Sequence, residues 1–308
     1  MIPSRSLSRR NKDKIVFGLC VACVALAVVP LASILVEVVL NGAPALSPEF
    51  LTSGPGVIGE AGGGIGNAIQ GTLILMGLSS LIGIPTGVMA GIYLAEFGDV
   101  VFVGHSFLTH VNSFLSSSLR FLNNVLTQFP SIVVGILAYT TIVVALGSFS
   151  TIAGAIALSI IMLPIVTRTT EESIKLVPGS IRDAAAALGI RKWRATLSVV
   201  LSTSRSGVVT GVLLAMARIT GETAPLILTV LGSSVFFQCD SLSSCTYSLG
   251  HPVDALPLRI WRLALLPYDY ARQQGWGAAL VLIIIVLTLN ITVRLATRGK
   301  FGMMRSRT

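Results

Sequence analysis

Long apolar runs constrain this chain more than any other feature of its sequence. A helix that crosses a membrane needs roughly 20 mostly apolar residues, and several segments approach or exceed that length. We predict six spanning helices, at residues 15–40, 68–97, 130–146, 152–166, 207–231 and 275–295. The first run is longer than the roughly 7–15 apolar residues of a secretory signal. We therefore interpret it as a retained anchor helix.

The composition supports a membrane protein. Of the 308 residues, 53% are apolar and only 11% are charged, whereas soluble domains carry about 25% charged residues. A soluble enzyme or nucleic-acid-binding domain of this composition could not bury its apolar surface away from water. The net charge of +9 has another explanation, because basic residues fall between the apolar runs, where they orient a membrane protein.

The distribution of basic residues predicts the orientation. With both termini in the cytoplasm, the inner segments hold almost all of the Lys and Arg residues, as the positive-inside rule requires. The exceptions are Arg218, inside a span, and Arg259, Arg262 and Arg272, on the outer side. We expect basic cytoplasmic tails at 1–14 and 298–308, and one membrane domain over 15–297. That domain includes a cytoplasmic loop at 169–205 and an outer loop at 232–274.

The four cysteines form two close pairs. Cys20 and Cys23 lie in the first apolar run with no second pair of metal ligands, so we interpret them as apolar filler. Cys239 and Cys245 lie in the outer loop, which in many cells faces an oxidising compartment. We expect a disulfide between them, and we expect no metal site in this chain.

Two further segments have local patterns. Residues 106–126 repeat apolar side chains at three- and four-residue steps, which predicts an amphipathic helix along the inner membrane face. The glycine-rich stretch 54–66 matches neither a dinucleotide-binding motif nor a phosphate-binding loop, so we expect a turn there. The chain has no recognisable ATP site of its own.

Glycines and prolines mark the spans themselves. Gly83, Gly87 and Gly91 recur every four residues and form a small-residue ridge. That ridge packs either within the chain or against a partner subunit. Pro85, Pro164 and Pro225 are each expected to kink a helix, because proline lacks the backbone donor.

The cytoplasmic loop contains a short helical sequence at 180–189. Ser180 and Asp183 resemble an N-cap and its capping-box partner, alanines favour helix, and Gly189 suits a left-handed end. Its small side chains fit a groove in another protein. The alternative is a plain connecting helix.

Charged residues inside the membrane are costly and indicate function by default. Arg218 and Glu222, four residues apart, share one face of the fifth span, next to Pro225. They suit an anion pathway, and the alternative is a buried structural ion pair. Arg168, with Glu171 and Glu172 nearby, is a second candidate for the pathway or else a membrane-edge arginine.

These two regions resemble the membrane permeases of ABC importers. Asp183, Ala184, Ala185 and Gly189 are similar to the EAA loop of that superfamily, with Asp in place of the usual Glu. Leu201 and Ser202 stand where the superfamily often has a proline. A narrower resemblance, to phosphate importer permeases of PstA type, covers about residues 65–297. Its segments are GTL at 71–73, GIP at 83–85, AGIYLAEFG at 90–98, PSIVVG at 130–135, LPIVTRTTEE at 163–172 and ARITGETAPL at 217–226.

The resemblance implies a complex in the inner membrane of a prokaryote. Its other members are a second permease of PstC type, two ATPase subunits of PstB type and an external phosphate-binding protein of PstS type. The ATPases use ATP and magnesium, and this chain is not itself an enzyme and binds no cofactor. The 183–189 helix docks on an ATPase, and Arg218, Glu222 and Arg168 lie on or near the phosphate path.

Three other functions remain to be weighed against phosphate import. An ABC permease for sulfate, molybdate or another anion has the same architecture. A stand-alone secondary transporter needs no docking helix. An intramembrane enzyme is disfavoured, because the sequence has neither an HExxH nor a GxSxG motif.

Overall fold

A computed structural model describes residues 4–57, 62–98, 106–239, 245 and 248–305. The described chain is built from helices. They are α1 (Ser4–Gly42), α2 (Pro48–Thr52), α3 (Gly66–Phe97), α4 (Ser106–Gln128), α5 (Ser131–Leu146), α6 (Thr151–Lys175), α7 (Gly179–Ala187), α8 (Lys192–Thr220), α9 (Ala224–Thr229), α10 (Leu256–Ala264) and α11 (Asp269–Arg305).

The helix lengths confirm the predicted membrane fold. In the described part of the chain, α1, α3, α6, α8 and α11 are long and apolar enough to cross a membrane, and α4 with α5 adds a sixth candidate as one bent unit. α4 and α5 meet at 109°. A helix at this angle to a spanning helix lies along the membrane surface, which is the location that the amphipathic pattern of α4 predicts.

Helices α3, α6 and α8 form the centre of the bundle. The ridge of α3 lies directly on α6, where Gly83, Gly87 and Gly91 face Met162, Val166 and Thr170 in that order. A Cβ atom at Gly87 would lie 2.8 Å from the Cβ atom of Val166, which leaves no room for a side chain. The glycine ridge therefore packs within this chain, the first of the two predicted alternatives.

Helix α8 packs on α6 and also contacts α3, where the hydroxyl of Thr220 lies 3.4 Å from the sulfur of Met76. Its bounds differ from the prediction of a span over 207–231. It begins at Lys192, far earlier, and ends at Thr220. The polar start was missed because Lys192 and Arg194 precede the apolar run. Pro225 does not kink a continuous helix as predicted, since it lies in the first turn of the separate helix α9. Helices α3 and α6, in contrast, continue through Pro85 and Pro164.

Helix α6 is also longer than the predicted 152–166. It begins after a left-handed turn at Gly147, with φ of 69°. Ser150 caps it by accepting a hydrogen bond from the backbone N–H of Ala153 at 3.2 Å. Its far end continues to Lys175, because the charged residues after Val166 pair along the helix surface instead of ending it.

Helix α1 stands apart from this centre. None of its most apolar window is buried within the chain, and it meets α11 only near its end, where Val38 is buried and Gly42 lies against Trp276. Cys20 and Cys23 are exposed on α1 and unbonded. The apolar surface of α1 therefore has to be covered by lipid or by another subunit.

The described residues between α9 and α11 lie at the end of the bundle opposite α7. The backbone N–H of Leu256, at the start of α10, donates to the hydroxyl oxygen of Thr72 on α3 at 2.8 Å. The described ends of the glycine-rich stretch meet before α3, where the backbone N–H of Gly64 donates to the carbonyl oxygen of Gly54 at 2.7 Å. Gly62 and Gly63 have positive φ angles of 133° and 75°. Cys239 and Cys245 are joined in a disulfide within this segment.

Candidate functional site

Arg218 lies in the last turn of α8, just before the helix breaks. Its Nε atom is 3.5 Å from Oε1 of Glu222, which follows the helix end by two residues. The Glu222 side chain is 14% exposed, whereas that of Arg218 is 53% exposed. The structure thus brings the two predicted residues together in a loose pair that leaves most of the guanidinium open.

The depth of this pair follows from the packing of α8 on α6. Gly207 contacts Ser173 and Gly211 contacts Thr169, so the two helices run antiparallel. Arg218 is two turns beyond Gly211, or about 10 Å along the axis, which puts it near the middle of α6. A broken helix with a charged pair at mid-depth is typical of transport sites.

Arg168 lies elsewhere, on α6. Its Nε atom is 3.0 Å from Oε1 of Glu172, and both side chains are more than half exposed. Because Arg168 adjoins Thr169, it lies about 9 Å along the bundle axis from Arg218. The two predicted arginines therefore occupy two separate positions, each with a glutamate four residues later.

Helix α7 corresponds to the predicted short loop helix, but its start differs. It begins at Gly179 after Pro178, with no side-chain cap, so the predicted N-cap role of Ser180 is wrong: proline fixes the preceding turn instead. Gly189 is left-handed as predicted, with φ of 71°. The helix ends at Ala187, just before it.

The predicted docking residues of α7 lie on two different faces of the helix, one exposed and one buried. Asp183 and Ala184 are exposed, and Leu188 just after the helix is 80% exposed. Ala185 is only 5% exposed, because it faces the chain's own helices. An outward surface for a partner therefore includes Asp183 and Ala184 but not Ala185.

Arg182 and Glu96, which the sequence did not single out, fasten α7 to the bundle. Arg182 Nε donates to Oε1 of Glu96 at 2.8 Å, and its Nη1 and Nη2 donate to the carbonyl oxygens of Val177 and Ile174 at 2.5 and 2.9 Å. Glu96 is 6% exposed and lies in a π-helical turn at the end of α3. The only sequence signal was an acidic residue that ends an apolar run.

At the opposite end of the bundle, Asp254 is fully buried and paired with Arg262. Burial raises the pKa of Asp254, while Arg262, Arg259 and the backbone N–H of Ala255 act to lower it. Burial lowers the pKa of Arg259, because it disfavours the charged guanidinium just as it disfavours the charged carboxylate of Asp254. Asn67 on α3 donates to the carbonyl oxygen of Ser233 at 2.7 Å beside this pair, so the network holds the residues around Ser233 and Asp254 on α3.

Among the described residues, no group of three or more His, Cys, Asp or Glu side chains could hold a metal ion.

Comparison with known proteins places these features in a family. Residues 83–238 match the family model described as binding-protein-dependent transport system inner membrane component. The chain is 41% identical over 286 residues to the phosphate transport system permease protein PstA of Yersinia pestis, covering 93% of this chain and 90% of the relative. It is 36% identical to a probable PstA protein of Methanocaldococcus jannaschii, covering 94% and 95%.

Solved structures support the fold. An inward-facing MetNI methionine ABC transporter matches with a TM-score of 0.55 at 15% identity, over 76% of this chain and 93% of that chain. A bacterial ABC transporter involved in alginate import matches with a TM-score of 0.52 at 15% identity, over 94% and 99%. At this identity the match concerns the fold alone.

Proposed function

The chain belongs to the family of binding-protein-dependent transport system inner membrane components, and from this membership we propose that it is the permease subunit of an ATP-driven importer for inorganic phosphate. The relatives that support phosphate as the cargo are PstA proteins matched along nearly their whole length. The chain provides the passage, and phosphate crosses it unmodified.

The observation that carries the proposal is the open guanidinium of Arg218 at the break between α8 and α9. A guanidinium binds phosphate oxygens through two parallel hydrogen bonds. The loose contact with Glu222 leaves that fork accessible, and the carboxylate competes with the anion for it. A transport site has to release its cargo, and competition from Glu222 keeps the phosphate complex weak.

The proposed orientation places α7 in the cytoplasm, with both termini on the same side. Basic residues concentrate around α7, as the positive-inside rule requires; they include Lys175, Arg182, Arg191, Lys192 and Arg194. The end with α10 and the Cys239–Cys245 disulfide then faces outward, where an external phosphate-binding protein of PstS type delivers its cargo.

The proposed ATPase contact is the outward face of α7, with Asp183, Ala184 and Leu188. Two PstB-type ATPase subunits hydrolyse ATP with magnesium, one docked on this chain and the other on a PstC-type permease. Because Arg182 ties α7 to α3, movement of the docked helix is transmitted to the bundle. Alternation of the bundle between inward- and outward-facing states is a coupling of two sites through a two-state element.

The most direct test isolates the chain from native membranes in mild detergent and identifies the proteins that accompany it. We expect an ATPase and a second permease with the wild type, and loss of the ATPase from an Asp183→Lys, Gly189→Asp variant. The matched control, Asp269→Lys, changes an exposed aspartate at the opposite end of the chain's membrane domain and retains the ATPase. A folded wild-type chain isolated alone contradicts the proposal and favours a secondary transporter.

Cargo is tested separately, by uptake into liposomes that contain the complete importer and its binding protein. We expect ATP-dependent phosphate uptake that excess sulfate or molybdate does not reduce. Uptake of sulfate in place of phosphate would support the other ABC permease hypothesis.

A further inference from the structure

Helix α9 fills the outer half of the bundle beyond Arg218. It begins at Ala224, just after the break that holds Glu222. At its other end, the carbonyl oxygen of Thr229 accepts a hydrogen bond of 3.1 Å from the backbone N–H of Ser150, the residue that caps the outer end of α6. Six residues of helix cover about 9 Å, so α9 reaches from the depth of Arg218 to the outer end of the bundle.

The turn that follows α9 is strained and lies against the Asp254–Arg262 pair. Leu231 and Gly232 have positive φ angles of 60° and 92°, and this backbone region is unfavourable for leucine. A Cβ atom at Gly232 would lie 2.7 Å from Nη2 of Arg262 and 3.0 Å from Oδ1 of Asp254. Strained backbone persists only where its surroundings hold it, and here the surroundings include the ion pair.

The carboxylate of Asp254 connects this turn to α3 and α10. It is fully buried, and its Oδ1 atom accepts hydrogen bonds from Arg262 on α10 and from the backbone N–H of Ala255. Its Oδ2 atom is 3.4 Å from Nδ2 of Asn67 on α3, the same amide nitrogen that donates to the carbonyl oxygen of Ser233. One buried charge therefore fixes the position of the turn, and with it the outer end of α9.

We propose that the Asp254–Arg262 pair is a lock that holds α9 closed as the outer gate of the phosphate path. The inference rests on the proposed function, in which phosphate arrives from outside and has to pass the outer half of the bundle to reach Arg218. Loss of the pair releases the strained turn at Leu231, and the outer end of α9 then moves away from α3. Asp254 acts through α9 and does not touch the cargo, so it is a positioning residue.

The lock also defines what the external binding protein has to do. A protein that docks at the outer end opens the gate only if it binds the open state more tightly than the closed one. A variant without the lock favours the open state even when the binding protein is absent. The two conditions are therefore expected to have the same effect on the outer half of the bundle.

The first test measures how fast a thiol reagent labels a buried position on α9 in the complete importer without its binding protein. Val230→Cys introduces a thiol at the outer end of α9, where the valine is 0% exposed. Val166→Cys is the matched control, since Val166 is also 0% exposed but lies in the centre of α6. Both are made with Cys20→Ala and Cys23→Ala, which remove the free thiols of the described residues.

Asp254→Asn is expected to speed the labelling of Val230→Cys about tenfold and to leave Val166→Cys protected. The asparagine keeps the size of the side chain, and Arg262 is 35% exposed, so its charge reaches water when the carboxylate is gone. Asp269→Asn removes an exposed carboxylate on the outer side and leaves both labelling rates unchanged.

The second test measures ATP hydrolysis by the importer with and without its binding protein. We expect the protein to stimulate the wild type and to have little effect on Asp254→Asn, which hydrolyses ATP without it. Arg262→Gln is expected to do the same, and the double variant no more than either single one, because both residues act through one contact. If Asp254→Asn does not fold, Arg262→Lys keeps the cation and gives a smaller change in the same direction.

Unchanged labelling of Val230→Cys in the Asp254→Asn importer overturns the inference. Faster labelling of both reporters overturns it as well, because a general loss of packing is then the cause. A wild type that takes up phosphate, with an Asp254→Asn variant as dependent on the binding protein as the wild type, refutes the lock alone. A wild type that takes up no phosphate refutes the proposed function itself.

Discussion

Arg182 and Arg218 are each paired with a glutamate, but the two pairs have opposite surroundings. Arg182 uses its guanidinium for Glu96 and for two backbone carbonyls, and Glu96 is nearly buried. Arg218 has one contact of 3.5 Å and is 53% exposed. The guanidinium of Arg182 donates its hydrogen bonds within this chain, to α3 and to the end of α6. The guanidinium of Arg218 keeps most of its donors accessible to a ligand.

The two pairs differ because their members are separated differently along the chain. Glu96 and Arg182 lie 86 residues apart and connect α7 to α3, beside an apolar cluster to which Ile181 and Ile92 also belong. Arg218 and Glu222 are neighbours in sequence, so their contact fixes nothing beyond one broken turn. Removal of one partner from a nearly buried pair destabilises the fold, because the other charge is left unpaired, whereas loss of a local, half-exposed contact costs little.

Breaking the Arg182 pair is expected to have the largest effect. Arg182→Gln leaves the buried Glu96 carboxylate without its cation, which costs about 3 kcal/mol in the free energy of unfolding. Stimulation of the ATPase is lost as well, because α7 no longer moves with α3. Thermal unfolding of the purified permease in detergent and ATP hydrolysis by the complex measure the two effects.

The control for Arg182 is Arg191→Gln. Arg191 is exposed near the same end of the bundle, and an exposed substitution changes stability by no more than about 0.5 kcal/mol. Equal unfolding temperatures for the two variants would show that the Arg182–Glu96 pair does not fasten α7.

Arg218 is expected to give the opposite combination of effects. Arg218→Gln removes charge-assisted hydrogen bonds worth about 1.5–3 kcal/mol, which corresponds to a phosphate transport rate lower by about 10- to 100-fold. Stability changes by less than about 1 kcal/mol, because more than half of the Arg218 side chain is exposed to solvent. Arg218→Lys keeps the charge without the planar fork and restores only part of the rate.

Uptake of phosphate by liposomes that contain the importer measures this second effect. Arg272→Gln is the matched control, since Arg272 is also exposed, with a salt bridge to Asp269 of 3.6 Å, and it belongs to no proposed site. An Arg218→Gln importer with the wild-type rate would remove Arg218 from the phosphate path.

The contrast between the pairs also explains what the sequence could predict. Arg218 and Glu222 were predictable because a charge within an apolar run is costly and their spacing places both on one helical face. Arg182 looked like one of many basic residues in a polar loop. Its partner Glu96 is identified only when α7 folds back onto α3, and no local pattern encodes that contact.

The same limit applied to the helices. Apolar runs located each candidate span in the described part of the chain, and the glycine ridge of α3 was evident from its four-residue spacing. The start of α8 at Lys192 was not, because its first turns are polar and hydropathy measures only the apolar part of a helix. The break before Pro225 was predicted as a kink. The sequence shows that Pro225 lacks a backbone donor, but it does not show whether the helix bends there or ends and begins again.

Glu222→Gln is the smallest change and tests whether Glu222 only holds Arg218 or also helps phosphate leave. Without the carboxylate, Arg218 faces the anion with no competitor, so phosphate is expected to bind the permease about two- to fivefold more tightly, in line with an exposed ion pair worth up to about 1 kcal/mol. Release then becomes slower, and the maximal uptake rate falls by a similar factor although the protein is as stable as the wild type. Binding of radioactive phosphate and uptake at saturating phosphate measure the two quantities on the same preparation. Unchanged uptake by a folded Glu222→Gln importer would mean that this carboxylate plays no part in release, and Arg218 would then be kept weak by its exposure to solvent alone.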